Sequence, residues 1–212
     1  LAEEGVKARP LDVPGAVEAE FSGSPAATKA FREGLYHVQG LASQTAALCL
    51  EAQPGETVLD LCAAPGGKTL LLAQQMGDKG RLLSFDAAQN RLPLIETAAR
   101  RCGLSCVTVG QGDASVYKSL EGCEQLHALQ LKILTNAARY VKEGGRLVYS
   151  TCTMDERENG QVVRAFLEKT PGFRLLPPPV VLEGALIEDN MQTMLPGFAG
   201  PDGFFAAVLE RV

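Results

Sequence analysis

Short apolar runs alternate with helix-spaced segments along most of this chain. The runs that predict buried strands lie at residues 58–61, 82–85, 107–109, 146–150 and 204–209. The segments that predict helices lie at residues 70–76, 89–102, 126–141 and 159–167. In the second of these, Leu92, Ile95 and Ala99 share one face. Strands alternating with helices predict an α/β fold with a mainly parallel, doubly wound sheet, whose binding site lies at the carboxyl ends of the strands.

The first part of the chain has a weaker pattern. Residues 17–21 predict a short strand and residues 41–50 a helix. The chain begins at Leu1, without Met, in a segment that looks like the middle of a domain. We therefore expect that this start is a cut and not a natural N-terminus.

The most informative stretch is residues 57–69, T-V-L-D-L-C-A-A-P-G-G-K-T. It predicts a strand, a tight glycine turn and a helix, the arrangement that brings backbone N–H groups and a helix N-terminus close to a ligand. Glycine lets the ligand approach the backbone. Many βα turns contain glycine, however, so this turn alone is weak support for a binding site.

Three acids strengthen that interpretation, because Asp60, Asp86 and Asp113 each lie at or just beyond the end of a successive predicted strand. A carboxylate after the second strand can accept hydrogen bonds from both hydroxyls of a ribose. The alternative for Asp86 is a helix cap, since a helix is predicted to begin near Gln89.

Two nucleotide-binding motifs fit the turn poorly. The dinucleotide fingerprint G-x-G-x-x-G is absent, which argues against NAD. A phosphate-binding P-loop requires glycine where Cys62 stands, so Gly67, Lys68 and Thr69 only partly match that motif. A nucleotide-phosphate binder remains a weaker alternative.

Composition limits the partners and the cellular compartment that fit this sequence. The net charge of −5 and the pI of about 5.2 give no general attraction to nucleic acid, although a local basic patch is compatible with them. Six cysteines without a C-x-x-C pair indicate free thiols in a reducing, cytoplasmic compartment. No apolar run is long enough to span a membrane.

Five stretches together resemble the RNA cytosine-5 methyltransferases of the RsmB/RsmF (Sun/Nop) family. The central one is residues 59–68, L-D-L-C-A-A-P-G-G-K, which resembles that family's motif for S-adenosylmethionine (SAM). The others are residues 31–39 with Ala42, Ser43 and Gln44; Phe85 and Asp86 with Arg91; residues 144–153, G-G-R-L-V-Y-S-T-C-T, with Glu156 and Asn159; and residues 202–205, D-G-F-F.

The resemblance covers the chain from about residue 31 to its end, and it implies a Rossmann-like SAM-dependent methyltransferase fold with an antiparallel C-terminal strand. Residues 31–212 would then be the catalytic domain, and residues 1–30 the remnant of an N-terminal RNA-binding part and its linker. By the same resemblance, the chain is a monomer that acts on RNA, most typically ribosomal RNA, without a metal. The residues that would hold SAM are Cys62, Ala63, Ala64, Pro65, Gly66, Gly67, Lys68, Asp86 and Asp113.

The resemblance also implies that Cys152 is the nucleophile. A thiolate that adds to C6 of cytosine makes C5 electron-rich enough to take a methyl group. Without the resemblance, a cysteine at a strand end is more often a packing residue.

One family element is missing. Between Asp113 and the helix at Leu126 the family places a central strand ending in Asp-x-Pro-Cys, and this chain contains no Pro-Cys dipeptide. Cys123 is no substitute, because neither Asp nor Pro precedes it at the right spacing. Two interpretations remain open: a segment cut from the given sequence, which the abrupt junction favours, or a true deletion. The second would leave a SAM-binding or RNA-associated remnant with little methyltransferase activity.

Overall fold

The computed structural model describes residues 1–113, 123–197 and 203–212, with side chains described from residue 126 onward in the second range. The chain divides into two compact units. The first comprises residues 1–44 and 52–112, and the second residues 45–51 and 113–212.

A three-stranded parallel sheet forms the centre of the first unit. Its order is β3 (Thr57–Asp60), β4 (Arg81–Asp86), β5 (Val107–Gln111). Helix α3 (Gly67–Gln75) connects β3 to β4, and α4 (Leu92–Arg101) connects β4 to β5 after a 3-10 turn. Because the three strands are parallel, their carboxyl ends lie at the same edge of the sheet.

The chain that precedes this sheet is mostly short elements. A hairpin of β1 (Lys7–Pro10) and β2 (Val17–Glu20) is followed by α1 (Lys29–Arg32) and α2 (Leu41–Leu48). Gly34 lies between these helices at φ +76°, and a Cβ there would be 1.9 Å from the Arg101 carbonyl oxygen. The Arg101 guanidinium donates hydrogen bonds to the carbonyl oxygens of Phe31 and Tyr36. The chain around α1 is therefore held against the end of α4 by hydrogen bonds and close packing.

An antiparallel sheet forms the centre of the second unit. The long strand β10 (Phe204–Arg211) pairs with β6 (Arg146–Thr151), β7 (Phe173–Leu176) and β9 (Met191–Met194). The short strand β8 (Leu186–Glu188) extends this sheet beyond β9. Two helices, α5 (Cys123–Ala138) and α6 (Gly160–Lys169), belong to the same unit.

The core of the second unit is a cluster of buried apolar side chains. Six consecutive residues of β10 are buried, which explains why its sequence is an uninterrupted apolar run. The buried cluster comprises Leu134, Ala138, Tyr149, Val162, Val163, Phe166, Phe173, Met191, Phe205, Ala207 and Leu209.

All five predicted strands are present, and β10 is antiparallel as expected. The sequence pattern missed β1, α1 and the three short strands between residues 173 and 194. It also predicted one sheet, whereas the described residues form a parallel sheet and a separate antiparallel one. The reason is that no described strand pairs with β3 on the side away from β4, where a doubly wound sheet places the strand that follows the third.

Candidate active site

The candidate cofactor site starts from the glycine turn, residues 62–67, which follows β3 at the carboxyl edge of the parallel sheet. The neighbouring strand holds this turn: Ala63 N–H donates to the Phe85 carbonyl oxygen at 3.0 Å, and Ala64 N–H donates to Asp86 Oδ2 at 3.0 Å. The Arg91 guanidinium donates to the Ala64 carbonyl oxygen at 3.0 Å. The backbone of the turn is therefore fixed by β4 and by the segment that follows it.

The turn delivers the N-terminus of α3 to the same edge. Gly66 has φ +111°, and a Cβ there would lie 3.3 Å from Ile95 Cα on α4, so only glycine fits without strain. The N-cap residue, Gly66, has no side chain to cap the helix. Its first backbone N–H groups and the positive end of its dipole are thus suited to a carboxylate or another polar ligand group.

Asp86 is buried, with 7% of its surface exposed, and both of its carboxylate oxygens accept a backbone hydrogen bond. Oδ2 accepts from Ala64 N–H, and Oδ1 accepts from Ala88 N–H at 3.0 Å. It does not cap the following helical segments, which have no side-chain cap. Each oxygen retains acceptor capacity for a ribose hydroxyl.

Asp60 has a different, structural environment. Thr69 Oγ1 donates to Asp60 Oδ2 at 2.8 Å and lies 3.1 Å from Ser84 Oγ. Burial raises the pKa of the Asp60 carboxyl, although the Thr69 hydroxyl and Lys68 oppose that rise. Thr69 and Ser84 are completely buried. A P-loop requires this hydroxyl at a metal–phosphate group, so its burial against Asp60 argues against the nucleotide-phosphate alternative.

Gln39 is a residue of this site that sequence reasoning did not identify. A Cβ at Gly67 would lie 3.3 Å from the Gln39 side-chain amide, so that amide rests on the first turn of α3. Gln39 Nε2 donates to Ser43 Oγ at 3.0 Å, and Gln39 Oε1 lies 3.0 Å from His37 Nε2. In the sequence, only the resemblance of residues 31–39 to the family indicated that this part of the chain belongs near the site.

The predicted cofactor residues divide between the two units. Residues 62–68 and Asp86 come together at one edge of the parallel sheet. Asp113 is exposed, lies two residues beyond β5 and belongs to the second unit. Its role stays a prediction.

The candidate nucleophile belongs to the second unit. Cys152 is exposed and comes directly after β6, at the start of what we call the cysteine segment, residues 151–159. Thr151 Oγ1 donates to Asn159 Oδ1, and Asn159 Nδ2 donates to the Thr153 carbonyl oxygen at 3.0 Å. Both neighbours of Cys152 are thus bound by one side chain.

Further contacts hold the cysteine segment at other points. The Tyr149 hydroxyl donates to the Glu158 carbonyl oxygen at 2.7 Å, and Gln130 Nε2 donates to Glu158 Oε2 at 2.7 Å. A Cβ at Gly203 would lie 2.3 Å from Met154 Sδ, so the glycine allows Met154 its position. Asp202 of the D-G-F-F motif lies outside the described residues, as do residues 114–122 at the junction and the side chain of Cys123.

Three other described thiols, those of Cys49, Cys102 and Cys106, are less exposed than that of Cys152. Cys49 is buried, and burial raises its pKa. Burial raises the pKa of Cys102, and burial with the Asp78 carboxylate raises that of Cys106 to about 11. Cys62 and Cys152 are the exposed cysteines among those with described side chains. Within the described ranges, no cluster of His, Cys, Asp and Glu is suited to a metal, and no helix is long and apolar enough to cross a bilayer.

Comparison with solved structures defines the fold class of the protein. NSun6 from Pyrococcus horikoshii, solved with SFG, superposes with a TM-score of 0.80 at 29% identity, over 90% of this chain and 56% of that one. A methyltransferase homologue from the same organism gives a TM-score of 0.82 at 26% identity, over 100% of this chain and 80% of that one. The fold is that of a Rossmann-like SAM-dependent methyltransferase, which confirms the predicted fold class.

The family follows from sequence. The model of the 16S rRNA methyltransferase RsmB/F family matches residues 47–123 and 116–210. The probable ribosomal RNA small subunit methyltransferase B of Bacillus subtilis is 32% identical over 251 residues, which cover 100% of this chain and 56% of the relative. The chain belongs to this family, and it spans about half the length of that relative.

The same comparisons bear on the missing element. The family model matches in two stretches that overlap at residues 116–123, the region of the predicted junction. The alignment with the Bacillus relative has 251 positions against 212 residues here, so at least 39 positions, the difference between them, have no residue in this chain. The relative therefore contains segments that are absent here.

Proposed function

We propose that this chain is the catalytic part of a SAM-dependent RNA (cytosine-5) methyltransferase that acts on ribosomal RNA. The observation that carries the proposal is the exposed thiol of Cys152, held at a strand end in a chain of this family. The resemblance of residues 144–153 to the segment with the family's nucleophile supports the same role.

The glycine turn and the acids suit SAM. Asp86 has acceptor capacity for the ribose hydroxyls, and the uncapped N-terminus of α3 is suited to the α-carboxylate of the methionine part. The proposed cofactor residues are 62–68, Asp86 and Asp113. When bound, SAM supplies an electrophilic methyl group.

The protein's own contribution to the chemistry is the thiol. The deprotonated Cys152 sulfur forms a bond to C6 of cytosine, and the electrons of the C5–C6 double bond move towards C5, which takes up the methyl group. Loss of the C5 proton to a base then restores the double bond and expels the Cys152 thiolate. The cysteine is regenerated, so it acts as a covalent catalyst.

The proposed setting follows the family: a monomer in the cytoplasm, with residues 31–212 as the catalytic domain and residues 1–30 as the remnant of an RNA-binding part. RNA would be the partner, and no metal would be needed.

A covalent-trapping experiment tests the function. Fluorine at C5 cannot leave as a proton, so 5-fluorocytosine RNA with SAM should give a stable protein–RNA adduct on a denaturing gel. Cys152→Ala should abolish it while SAM affinity in calorimetry stays nearly unchanged. An adduct that survives Cys152→Ala identifies a different nucleophile.

The absent alignment positions favour a second candidate, a SAM-binding chain that cannot complete the reaction. It predicts that the 212-residue chain binds SAM but forms no adduct. Inserting the corresponding segment of the Bacillus relative at residues 116–123 should then restore the adduct. A strong Cys152-dependent adduct from the 212-residue chain would exclude this candidate.

A further inference from the structure

Asn159 has the position of a helix cap but does not act as one. It immediately precedes α6, a place where an asparagine side chain usually accepts a hydrogen bond from the first turn of the helix. Here the Asn159 side chain makes no such bond. The residue is only 2% exposed. Because buried amides are normally hydrogen-bonded, its side chain must have other partners.

Those contacts lie on either side of Cys152. The Asn159 Oδ1 atom accepts from the hydroxyl of Thr151, and Nδ2 donates to the carbonyl oxygen of Thr153 at 3.0 Å. The amide thus bridges the residue before the cysteine and the residue after it. Fixing the backbone on both sides restricts the direction in which the Cys152 side chain leaves the chain.

We propose that Asn159 is the positioning residue for the Cys152 thiol, an inference that rests on the proposed function. It does not touch the reacting atoms; it sets the direction from which the sulfur meets C6 of the base. A misplacement of about 1 Å costs on the order of 100-fold in rate. A buried amide with both of its polar atoms engaged is suited to holding such a geometry.

The alternative is that Asn159 only stabilises the cysteine segment, and the segment offers a control for this. The Tyr149 hydroxyl holds the same segment through the Glu158 carbonyl oxygen, at a point that is not adjacent to Cys152. Tyr149→Phe therefore removes a structural hydrogen bond next to Asn159 in the chain while keeping every group of the bridge across the cysteine.

The experiment compares four variants in the trapping assay at saturating RNA. Asn159→Asp loses the donor to Thr153, and Thr151→Val loses the donor to Asn159 without adding charge. Both should slow adduct formation about 10- to 100-fold while RNA affinity stays within about twofold. Thr151→Ser, which keeps the hydroxyl, should match the wild type, and Tyr149→Phe should stay within about threefold of it. Equal losses in Tyr149→Phe and Asn159→Asp would overturn the proposal.

Hydrogen exchange measured on the 212-residue chain tests, without any methyl transfer, whether Asn159 orders the backbone at Cys152. A peptide containing Cys152 should exchange at least about tenfold faster in Asn159→Asp and Thr151→Val, and within about threefold of the wild type in Tyr149→Phe. Unchanged exchange in the first two variants would overturn the proposal. If the wild-type protein forms no adduct, with or without the inserted segment, the proposed function fails, and the exchange result still decides whether Asn159 orders the backbone at Cys152.

Discussion

The glycine turn and the cysteine segment both present chemical groups at the end of a strand, but they present groups of different kinds. The glycine turn presents backbone groups, which Asp86 and Arg91 hold through the main chain. The cysteine segment presents one side chain, and the amide of Asn159 holds its neighbours. A site built from backbone should tolerate side-chain changes but not changes of backbone conformation, whereas a site built around one thiol should fail when that one side chain is replaced.

The two exposed cysteines test this contrast most strongly. Cys152→Ala should abolish the 5-fluorocytosine adduct, a loss of more than about 1000-fold, because it removes the proposed nucleophile. Cys62→Ala should weaken SAM binding by less than about tenfold and still form the adduct at saturating SAM, because residue 62 contributes mainly backbone. Gel quantification of the adduct and calorimetry of SAM binding measure both effects. Loss of the adduct in Cys62→Ala at saturating SAM would contradict the contrast.

Glycine replacements test the backbone half of the contrast. Gly66→Ala forces a side chain into φ +111° and places its Cβ 3.3 Å from Ile95 Cα. We expect a loss of about 2–4 kcal/mol in the free energy of unfolding, from strain and overpacking combined. Gly77 has φ +60°, and a Cβ there would have no atom within 4 Å. Gly77→Ala should therefore lower the free energy of unfolding by only about 1–2 kcal/mol.

Urea denaturation gives both values, and SAM calorimetry should show weaker binding in Gly66→Ala alone. If Gly66→Ala and Gly77→Ala lower the free energy of unfolding equally, the close approach of the turn to α4 has no energetic significance.

The glycine turn and the cysteine segment were unequally predictable from sequence. A turn made of glycine, proline and a strand-end acid is a local pattern, so its elements and the place of Asp86 could be predicted. The contacts of Gln39 with Gly67 and of Thr69 with Ser84 join separate parts of the chain and depend on packing that periodicity does not encode. Asn159 was visible as part of a motif, but local sequence favours a helix cap there.

The strands that sequence missed show the same limit. Strand β8 has only three residues and none is buried, so its apolar pair, Leu186 and Ile187, is too short a run to predict a strand. Its pairing with β9, and that of β9 with β10, are tertiary events. In contrast, β10 was predicted because burial of six consecutive residues requires an apolar run.

Two aspartates of the first unit separate ligand binding from backbone support. Asp86→Ala should weaken SAM binding by about 1–3 kcal/mol, the usual cost of losing a charged hydrogen-bond partner. Asp78→Ala is the matched control, because Asp78 also accepts backbone N–H groups, from Ser105 and Cys106 just before β5, at the opposite end of the sheet. It should leave SAM affinity within about twofold. Unchanged affinity in Asp86→Ala would reduce Asp86 to a support of the turn.

The two smallest expected effects concern the contribution of single aspartates to stability and its dependence on pH. Burial pushes the pKa of Asp78 upward, but hydrogen bonds from Ser105 and Cys106 outweigh it and lower the pKa to about 2. A carboxyl whose folded pKa is depressed stabilises the fold above its unfolded pKa of about 4, and that contribution disappears as the pH falls towards 2. At pH 7, Asp78→Asn should therefore lower the melting temperature by roughly 1–3 °C, and the difference from wild type should shrink between about pH 4 and pH 2.

Asp155, in the cysteine segment, supplies the parallel case. Its hydrogen bonds with Arg157 lower its pKa to about 2. Asp155 is half-buried and Arg157 is exposed, so solvent screening makes their ion pair a weak contribution to stability. Asp155→Asn should shift the melting temperature less than Asp78→Asn at pH 7, because Asp78 holds backbone at the start of a strand whereas Asp155 holds mainly a neighbouring side chain. A larger shift in Asp155→Asn would mean that the acid end of the stability profile is set by the cysteine segment and not by the parallel sheet.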